Sequence, residues 1–290
     1  MASRWSGRRA RLRGILGGGQ CVLPASVHDA ISARIAADLG FEMGMLAGSV
    51  AALTVLGAPD MILITLSELA EQAHRVSRGA DLPLLVDADH GYGNALNVMR
   101  TVEELEAAGV AGLSIEDTVL PHPFGSGGRP ALIPVEEGVG KIKAARAARA
   151  DADLVIAGRT SAVAISGLDD AIARAKAYEA AGADAMFFVG VRTQAELDAL
   201  CAAVRIPVIL GGVPKALLDT AMLAERGVRV CLTGHQPFQA AIAAVHATLK
   251  ALRAGTPPDA LTGLATAELA SSATRADAYA AAVRAYLERG

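Results

Sequence analysis

Two aspartates, two positions apart, follow a buried apolar segment in the first third of the chain. Residues 82–86 are apolar and predict a parallel strand, and a helical pattern follows the motif Asp-Ala-Asp-His-Gly-Tyr-Gly-Asn at 87–94. Asp87 and Asp89 therefore lie where a strand ends, and the Gly-Tyr-Gly turn lets the backbone approach whatever they bind. Carboxylate oxygens are the ligands that Mg2+ prefers. The alternative is a solvated acidic turn.

A second acidic pair, Glu116 and Asp117, ends the next apolar segment, at 110–115. Hard oxygen ligands at neighbouring strand ends favour a divalent-cation site over a solvated turn. The sequence therefore predicts a metal site that is built from two adjacent strands.

Strand and helix patterns alternate along the chain. The predicted strands cover 22–26, 43–48, 84–89, 112–117, 154–159, 185–190, 208–211 and 228–234. Eight strands that alternate with helices predict a closed (β/α)8 barrel. We expect one domain over 1–290, with a basic N-terminal helix over 1–20 and a C-terminal helical extension over about 256–290.

A barrel of this kind carries its active site at the C-terminal ends of the strands. Polar residues collect at those predicted ends: Ser26, Ser49, Asp87, Asp89, Glu116, Asp117, Arg159, Thr160 and His235. Since the strands are otherwise apolar, this placement predicts a functional site at that end of the barrel.

Charge and cysteine usage narrow the partners and the compartment. The net charge of −3 gives no reason to expect nucleic acid, and no apolar run approaches the roughly 18 residues of a membrane span. The three cysteines, Cys21, Cys201 and Cys231, are scattered without metal-ligand spacing. We predict a protein of the reducing cytoplasm without nucleic-acid or membrane partners.

Over nearly its whole length, the chain resembles the isocitrate lyase/phosphoenolpyruvate mutase superfamily. The segments that carry the resemblance are 47–50, 58–60, 87–94, 115–117, 158–160 and 167–184. Within the superfamily it is most similar to the oxaloacetate decarboxylases, through segments 32–41, 87–98 and 233–235. The resemblance implies a homotetramer, a dimer of dimers with C-terminal helices exchanged between barrels.

The resemblance also implies a metal site. Asp87 matches the residue that binds Mg2+ directly, with Mn2+ as a possible substitute, and three further acids match groups that hold the waters of the ion: Asp60, Asp89 and Glu116. An α-keto acid chelates Mg2+ through a carboxylate oxygen and its keto oxygen. The ion then stabilises, as a Lewis acid, the enolate that forms when the distal carboxylate leaves as CO2.

Four residues match substrate contacts of the family. Ser49 and the neighbouring backbone at Gly48 match the loop that grips the carboxylate and keto oxygens of the substrate, while Arg159 and His235 match its charge-neutralising and decarboxylase-specific contacts. Arg159 can present paired donors to a carboxylate or enolate. The alternatives are an internal ion pair for Arg159, a helix cap for Ser49 and a packed polar side chain for His235.

These matches predict Mg2+-dependent decarboxylation of oxaloacetate, or of a close 3-carboxylated α-keto acid, to pyruvate and CO2. The small-molecule partner is thus an α-keto dicarboxylate. One alternative is another carbon–carbon or carbon–phosphorus lyase of the superfamily, acting on a larger α-keto or α-hydroxy acid. A second, from a different class, is a non-catalytic barrel that binds a dicarboxylate.

Three departures from the family refine the prediction. The loop 120–129 is Gly-rich, which suits a lid, but lacks the reactive cysteine of the branch that cleaves isocitrate, so that activity is not expected. Gly211 stands where the decarboxylases carry a tyrosine, and Ser161 stands where the family often has an acidic or amide residue. We expect the glycine at 211 and the serine at 161 to enlarge or depolarise the pocket, which would admit a bulkier acid.

Overall fold

The computed structural model describes residues 5–288. Within them, eight parallel strands form one sheet in chain order. The strands are β1 (Ala25–Ser26), β2 (Gly44–Leu46), β3 (Leu84–Asp87), β4 (Gly112–Glu116), β5 (Val155–Thr160), β6 (Ala185–Phe188), β7 (Val208–Leu210) and β8 (Val228–Cys231). The Val22 amide donates to the Arg229 carbonyl at 2.9 Å, and the Cys231 amide donates to the Val22 carbonyl at 3.0 Å. These bonds join the ends of the sheet, so the predicted barrel is confirmed.

Helices alternate with the strands up to Gly234, where the first of two compact units ends. These helices are α1 (Ser6–Gly17), α2 (Ala30–Asp38), α3 (Gly48–Leu56), α4 (Leu66–Gly79), α5 (Ala95–Ala107), α6 (Val135–Ala148), α7 (Ala162–Ile165), α8 (Leu168–Ala181), α9 (Gln194–Ala203) and α10 (Thr220–Glu225), with a 3-10 turn at Lys215–Leu217. Gly182 ends α8 with φ +95°, a conformation that glycine adopts without strain.

Two apolar layers stabilise the first unit. One fills the barrel: alternate strand residues such as Met45, Leu85 and Phe187 meet Leu12 and Leu16 of α1 there. The other lies between the strands and the surrounding helices. Strand residues alternate between these layers because successive side chains point to opposite faces of the sheet.

The helix α1 is the basic N-terminal helix that the sequence predicts over 1–20, whose first four residues lie outside the described part. Two of its arginines pair with acids that precede strands. Arg9 lies 2.8 Å from Asp151, and Arg13 lies 2.9 Å from Asp184. Because Leu12 and Leu16 enter the barrel interior, α1 covers the amino-terminal end of the strands.

The second unit comprises the described residues from His235 onward, so the division falls before the extension predicted near 256. It contains α11 (Gln236–Arg253), α12 (Ala267–Thr274), α13 (Ala276–Tyr286) and a 3-10 turn at Pro258–Ala260. The helix α11 has no buried residue. No helix among residues 5–288 combines the length and hydropathy that crossing a bilayer requires.

Strand register brings the polar strand ends of the first unit together. Asp87 on β3 is paired with Ser114 on β4, and Glu116 on β4 is paired with Arg159 on β5. Since neighbouring parallel strands end at the same edge, carboxylates and a guanidinium converge at the carboxyl end of the barrel.

Candidate active site

Asp87 and Asp89 begin the site at the end of β3. Asp87 is 8% exposed and Asp89 is 5% exposed. The Asp89 amide donates to Asp87 Oδ1 at 3.2 Å, and the Ser114 hydroxyl donates to the same oxygen at 3.3 Å. Asp89 has a left-handed backbone, with φ +47°. This local turn places both carboxylates at the carboxyl end of the barrel, as the sequence predicts.

The second acidic pair divides between two environments. Glu116 lines the same cavity as Asp87. Asp117 is turned away, because adjacent residues of a strand face opposite sides; its Oδ2 accepts hydrogen bonds from Tyr178 at 2.8 Å and Arg174 at 3.1 Å. Of this pair, Glu116 thus faces the cavity, and Asp117, which is not among the four acids matched to the metal site, is held by Tyr178 and Arg174.

Arg159, on β5, lies between the carboxylates. Its Nη1 donates to Asp87 Oδ2, and its Nε lies 3.3 Å from Glu116 Oε2 at an ion-pair distance without hydrogen-bond geometry. The centre of the guanidinium lies 5.4 Å from the centroid of the Phe187 ring. The internal ion pair, which is the alternative to substrate binding for Arg159, is thus present, and its residues face the cavity.

Burial and mutual repulsion perturb the acids of the site. Burial, then the charges of Asp87 and Glu116, raise the pKa of Asp89 well above its ordinary value. Burial also raises the pKa of Glu116 to about 7, against the opposing charge of Arg159. Although burial disfavours its charge, Asp87 and Glu116 raise the pKa of Arg159. These pKa shifts are those of a buried carboxylate cluster whose negative charge exceeds the positive charge beside it.

These groups face a cavity of about 400 Å3 within the first unit. Its acidic side carries four carboxylates: Asp60, Asp87, Asp89 and Glu116. Apolar residues also line the cavity: Met61, Ile62, Leu120, Ala164, Ile165 and Val189. A cavity lined by both charged and apolar residues suits a small acid that is held by its polar groups.

Asp60 reaches the cavity from the connection between α3 and α4. The same connection contains Ile62, which has a left-handed φ of +56°. This conformation is strained for a β-branched residue and is found where a local structure is fixed by its surroundings. The cavity thus includes all four acids that the resemblance matches to a metal site.

Ser49 and Gly48 lie in the first turn of α3. The helix is capped by the backbone at Ala47 without a side-chain hydrogen bond, so Ser49 does not act as the cap. A Cβ on Gly48 would lie 2.5 Å from Asp89 Oδ1. Glycine is required there because the Asp89 carboxylate packs against it. Substrate contact by Ser49 and Gly48 remains a prediction.

His235 is the first residue of the second unit and the N-cap residue of α11. Its contact with substrate remains a prediction. The predicted helical extension over about 256–290 also falls in this unit, and its last two residues lie outside the described part of the chain.

The Gly-rich loop 120–129 extends from a short antiparallel base. The Val119 amide donates to the Ala131 carbonyl at 2.8 Å, and the Ile133 amide donates to the Asp117 carbonyl at 2.9 Å. From this loop Leu120 and His122 line the cavity. The loop is therefore positioned as a lid requires, and cysteine is absent from the described residues that line the cavity.

The prediction that the pocket is enlarged at Gly211 is wrong. A Cβ on Gly211 would lie 2.8 Å from Val189 Cγ2 and 3.3 Å from the Phe187 ring. These side chains, on or after β6, fill the space beside β7. Ser161 does line the cavity, so the expected loss of an acidic or amide group applies there.

Tyr92 is a site residue that the sequence analysis did not identify. Its hydroxyl donates to Asp89 Oδ2 at 3.4 Å, and its backbone is left-handed, with φ +59°. Burial, then the charges of Asp89 and Asp87, raise the pKa of its phenol above the ordinary value. An aromatic residue between two turn glycines was the available signal, because such a position has no evident packing role.

The carboxylates have the oxygen chemistry of a Mg2+ site, but across residues 5–288 no three His, Cys, Asp or Glu side chains converge into a ready ligand cluster. Mg2+ commonly keeps several waters and uses only one or two carboxylates. The residues therefore fit an ion that is held by one or two of these carboxylates, with the other acids around its waters.

Comparisons with known proteins agree with this geometry. The family model described as phosphoenolpyruvate phosphomutase matches residues 12–253. An oxaloacetate decarboxylase of Rhodopseudomonas palustris (strain ATCC BAA-98 / CGA009) is 61% identical over 276 residues, covering 95% of this chain and 96% of the relative.

Two solved structures extend the comparison. Oxaloacetate acetylhydrolase in complex with the inhibitor 3,3-difluorooxalacetate superposes with a TM-score of 0.85 at 28% identity, covering 97% of each chain. Phosphonopyruvate hydrolase in complex with oxalate and Mg2+ superposes with a TM-score of 0.84 at 29% identity, covering 97% of this chain and 99% of the other. The chain belongs to the phosphoenolpyruvate phosphomutase family, within the isocitrate lyase/phosphoenolpyruvate mutase superfamily.

Proposed function

We propose that this protein is a Mg2+-dependent lyase that decarboxylates oxaloacetate, or a close 3-carboxylated α-keto acid, to pyruvate and CO2. The observation that carries the proposal is the single cavity in which Asp87, Asp89 and Glu116 face Arg159. The relative with 61% identity that is named oxaloacetate decarboxylase supports the choice of substrate. The structure of a family member in complex with oxalate and Mg2+ supports the choice of metal.

Asp87 would hold the ion directly, with Asp60, Asp89 and Glu116 around its waters. When bound there, Mg2+ supplies Lewis-acid stabilisation of the negative charge that develops on the keto oxygen. Arg159 presents planar paired donors beside the same carboxylates, so its guanidinium can bind a substrate carboxylate or the developing enolate.

Decarboxylation breaks the bond between C3 and the distal carboxyl carbon. The electron pair of that bond becomes the C2–C3 double bond of the pyruvate enolate, while the π pair of the C2 carbonyl moves onto the keto oxygen and CO2 leaves. When a proton is returned to C3, the C2 carbonyl re-forms and pyruvate results. The apolar wall of Ala164, Ile165 and Val189 suits this step, because a carboxylate that leaves as neutral CO2 loses its charge. Leu120, from the loop, adds to that wall and helps to exclude water.

The test is turnover of oxaloacetate by the purified protein with Mg2+, followed as pyruvate formation through a coupled lactate dehydrogenase assay. Free metal ions also decarboxylate oxaloacetate, so the matched control is the Asp87→Ala protein at the same Mg2+ concentration. Pyruvate formation by the wild type well above this control supports the proposal. Equal rates contradict it.

One observation supports the alternative of a lyase for a larger α-keto or α-hydroxy acid: the cavity has a volume of about 400 Å3. Sites of this size accommodate ligands larger than a four-carbon acid. A panel of 3-alkyl oxaloacetates in the same assay separates the two, and the absence of turnover with every acid would favour the non-catalytic dicarboxylate-binding alternative.

We also propose that the protein is a homotetramer of the cytoplasm. Supporting the assembly, α11 carries apolar residues at spacings of three and four that are 40–60% exposed in one chain: Ile242, Val245, Leu249 and Leu252. Such a stripe suits packing against another helix. Light scattering coupled to size-exclusion chromatography tests the tetramer, and a monomeric mass would contradict it.

A further inference from the structure

The turn that carries Asp89 holds an uncommon backbone. Asp89, Gly91, Tyr92 and Gly93 all have positive φ, at +47°, +79°, +59° and +145°. For the two residues with side chains this conformation costs free energy and persists only when the surroundings fix it. Contacts that fix this turn therefore bear directly on where the Asp89 carboxylate lies.

Three consecutive carbonyls of the turn accept hydrogen bonds from three different elements. The His90 carbonyl accepts from Lys141 Nζ on α6 at 2.9 Å. The preceding carbonyl accepts from the Glu116 amide on β4 at 2.8 Å, and the following one accepts from the Thr101 hydroxyl on α5 at 3.0 Å. Lys141 is the charged donor of the three, and a hydrogen bond from a charged group is the stronger kind.

Lys141 lies where an apolar residue is expected. It is 3% exposed and shares the buried face of α6 with Gly138, Ile142 and Ala145. A lysine is almost never buried unless it is paired, since removing an ammonium group from water is costly. Its hydrogen bond to the turn gives a reason for this placement.

We propose that Lys141 is a positioning residue for the metal site. It fixes the carbonyl of His90 and thereby the left-handed turn that aims the Asp89 carboxylate at the cavity. This inference rests on the proposed function, because it assumes that the acids of the cavity hold Mg2+. Lys141 touches neither the cavity nor the acids, so it acts through the backbone of the turn.

Whether the loss of Lys141 weakens or strengthens Mg2+ binding distinguishes a positioning role from the effect of its positive charge. If Lys141 acted only as a nearby positive charge, its removal would strengthen the binding of a cation. If it positions Asp89, its removal weakens Mg2+ binding by about 10- to 100-fold, the range for groups that orient metal ligands.

The experiment is calorimetric titration of Mg2+ into the full-length wild type, Lys141→Met and Lys141→Arg, with a melting curve for each protein. The matched control is Lys143→Met, an exposed lysine on the same helix. We expect a weaker Mg2+ affinity in Lys141→Met, partial recovery in Lys141→Arg, and wild-type affinity in Lys143→Met. If Lys141→Met does not fold, Lys141→Gln takes its place: it also removes the ammonium group that donates to the His90 carbonyl, and it should weaken Mg2+ binding in the same direction.

Wild-type or tighter Mg2+ binding in a folded Lys141→Met protein overturns the inference, as does the same result in folded Lys141→Gln if that variant has to stand in. A wild type that binds no Mg2+ overturns both the inference and the proposed metal. A wild type that binds Mg2+ but forms no pyruvate contradicts the proposed reaction alone, and leaves the affinity comparison to decide the role of Lys141.

Discussion

Arginines and acids form ion pairs at both ends of the barrel, but the acids outnumber the arginine only at the carboxyl end. At the amino-terminal end, arginines of α1 each meet acids at ordinary ion-pair distances, as Arg9 does with Asp151 and Arg13 with Asp184. At the carboxyl end, the single guanidinium of Arg159 among the described cavity residues faces four carboxylates.

The pKa directions follow this balance. At the amino-terminal end, the hydrogen bond from Arg9 lowers the pKa of Asp151. At the carboxyl end, burial and neighbouring acids raise the pKa of Asp89 and of Glu116. A balanced cluster stabilises the fold, whereas an unbalanced buried one costs stability and persists at sites that bind something. The ion pairs at the amino-terminal end therefore serve the fold, and the excess of acids at the carboxyl end marks the candidate active site.

The largest expected effect comes from Asp87, which accepts a hydrogen bond from Arg159. Asp87→Ala should abolish turnover and weaken Mg2+ binding more than the roughly 10- to 100-fold typical of indirect ligands. Asp89→Ala should weaken both by a smaller factor. Calorimetry and the pyruvate assay measure the two effects, and near-normal Mg2+ affinity in Asp87→Ala would show that the metal is assigned to the wrong residue.

A smaller effect is expected at Arg159. Arg159→Lys keeps the positive charge but loses the planar fork, so oxalate, a mimic of the pyruvate enolate, should bind about 10- to 100-fold more weakly, the cost of a lost charged hydrogen bond. Mg2+ affinity, measured alongside by calorimetry, should change little. Equal oxalate affinity in the two proteins would remove Arg159 from the substrate site.

The smallest effect on function is expected at the amino-terminal end. Arg9→Met should lower the free energy of unfolding by about 2–3 kcal/mol, because Arg9 is buried and donates to two acids and two carbonyls. Mg2+ affinity and turnover per folded molecule should stay unchanged. The control is Arg11→Met, since Arg11 is half exposed and its surface pair is worth at most about 1 kcal/mol. A loss of Mg2+ affinity in folded Arg9→Met would break the division between the two ends.

This stability difference should also depend on pH. The pKa of Asp151 is lowered in the folded state, so the pair contributes fully above the unfolded value of about 3.9 and is lost as the pH falls through the folded pKa. Denaturant titrations should therefore show the full difference between wild type and Arg9→Met at pH 7 and a smaller one near pH 3. An unchanged difference at both values would assign the effect to packing.

The alternation of strand and helix patterns predicted most of the fold. The predicted strand 84–89 contains β3, and the polar strand ends that the barrel requires lie around the cavity. The partners of individual side chains could not be predicted from the sequence, because they depend on the register of the strands and on the direction in which each side chain points. Asp117 turns away from Glu116 for this reason, and Val189 occupies the space beside Gly211 from a neighbouring strand.

The central claim is that a divalent cation binds among the carboxylates at the carboxyl end of the barrel and holds the keto acid there. The most direct measurement is calorimetric titration of oxalate into the wild-type protein with and without Mg2+. The account predicts binding only when Mg2+ is present, and its loss in Asp87→Ala. Equally tight binding without Mg2+ would contradict the claim, since Arg159 alone would then suffice to hold the ligand.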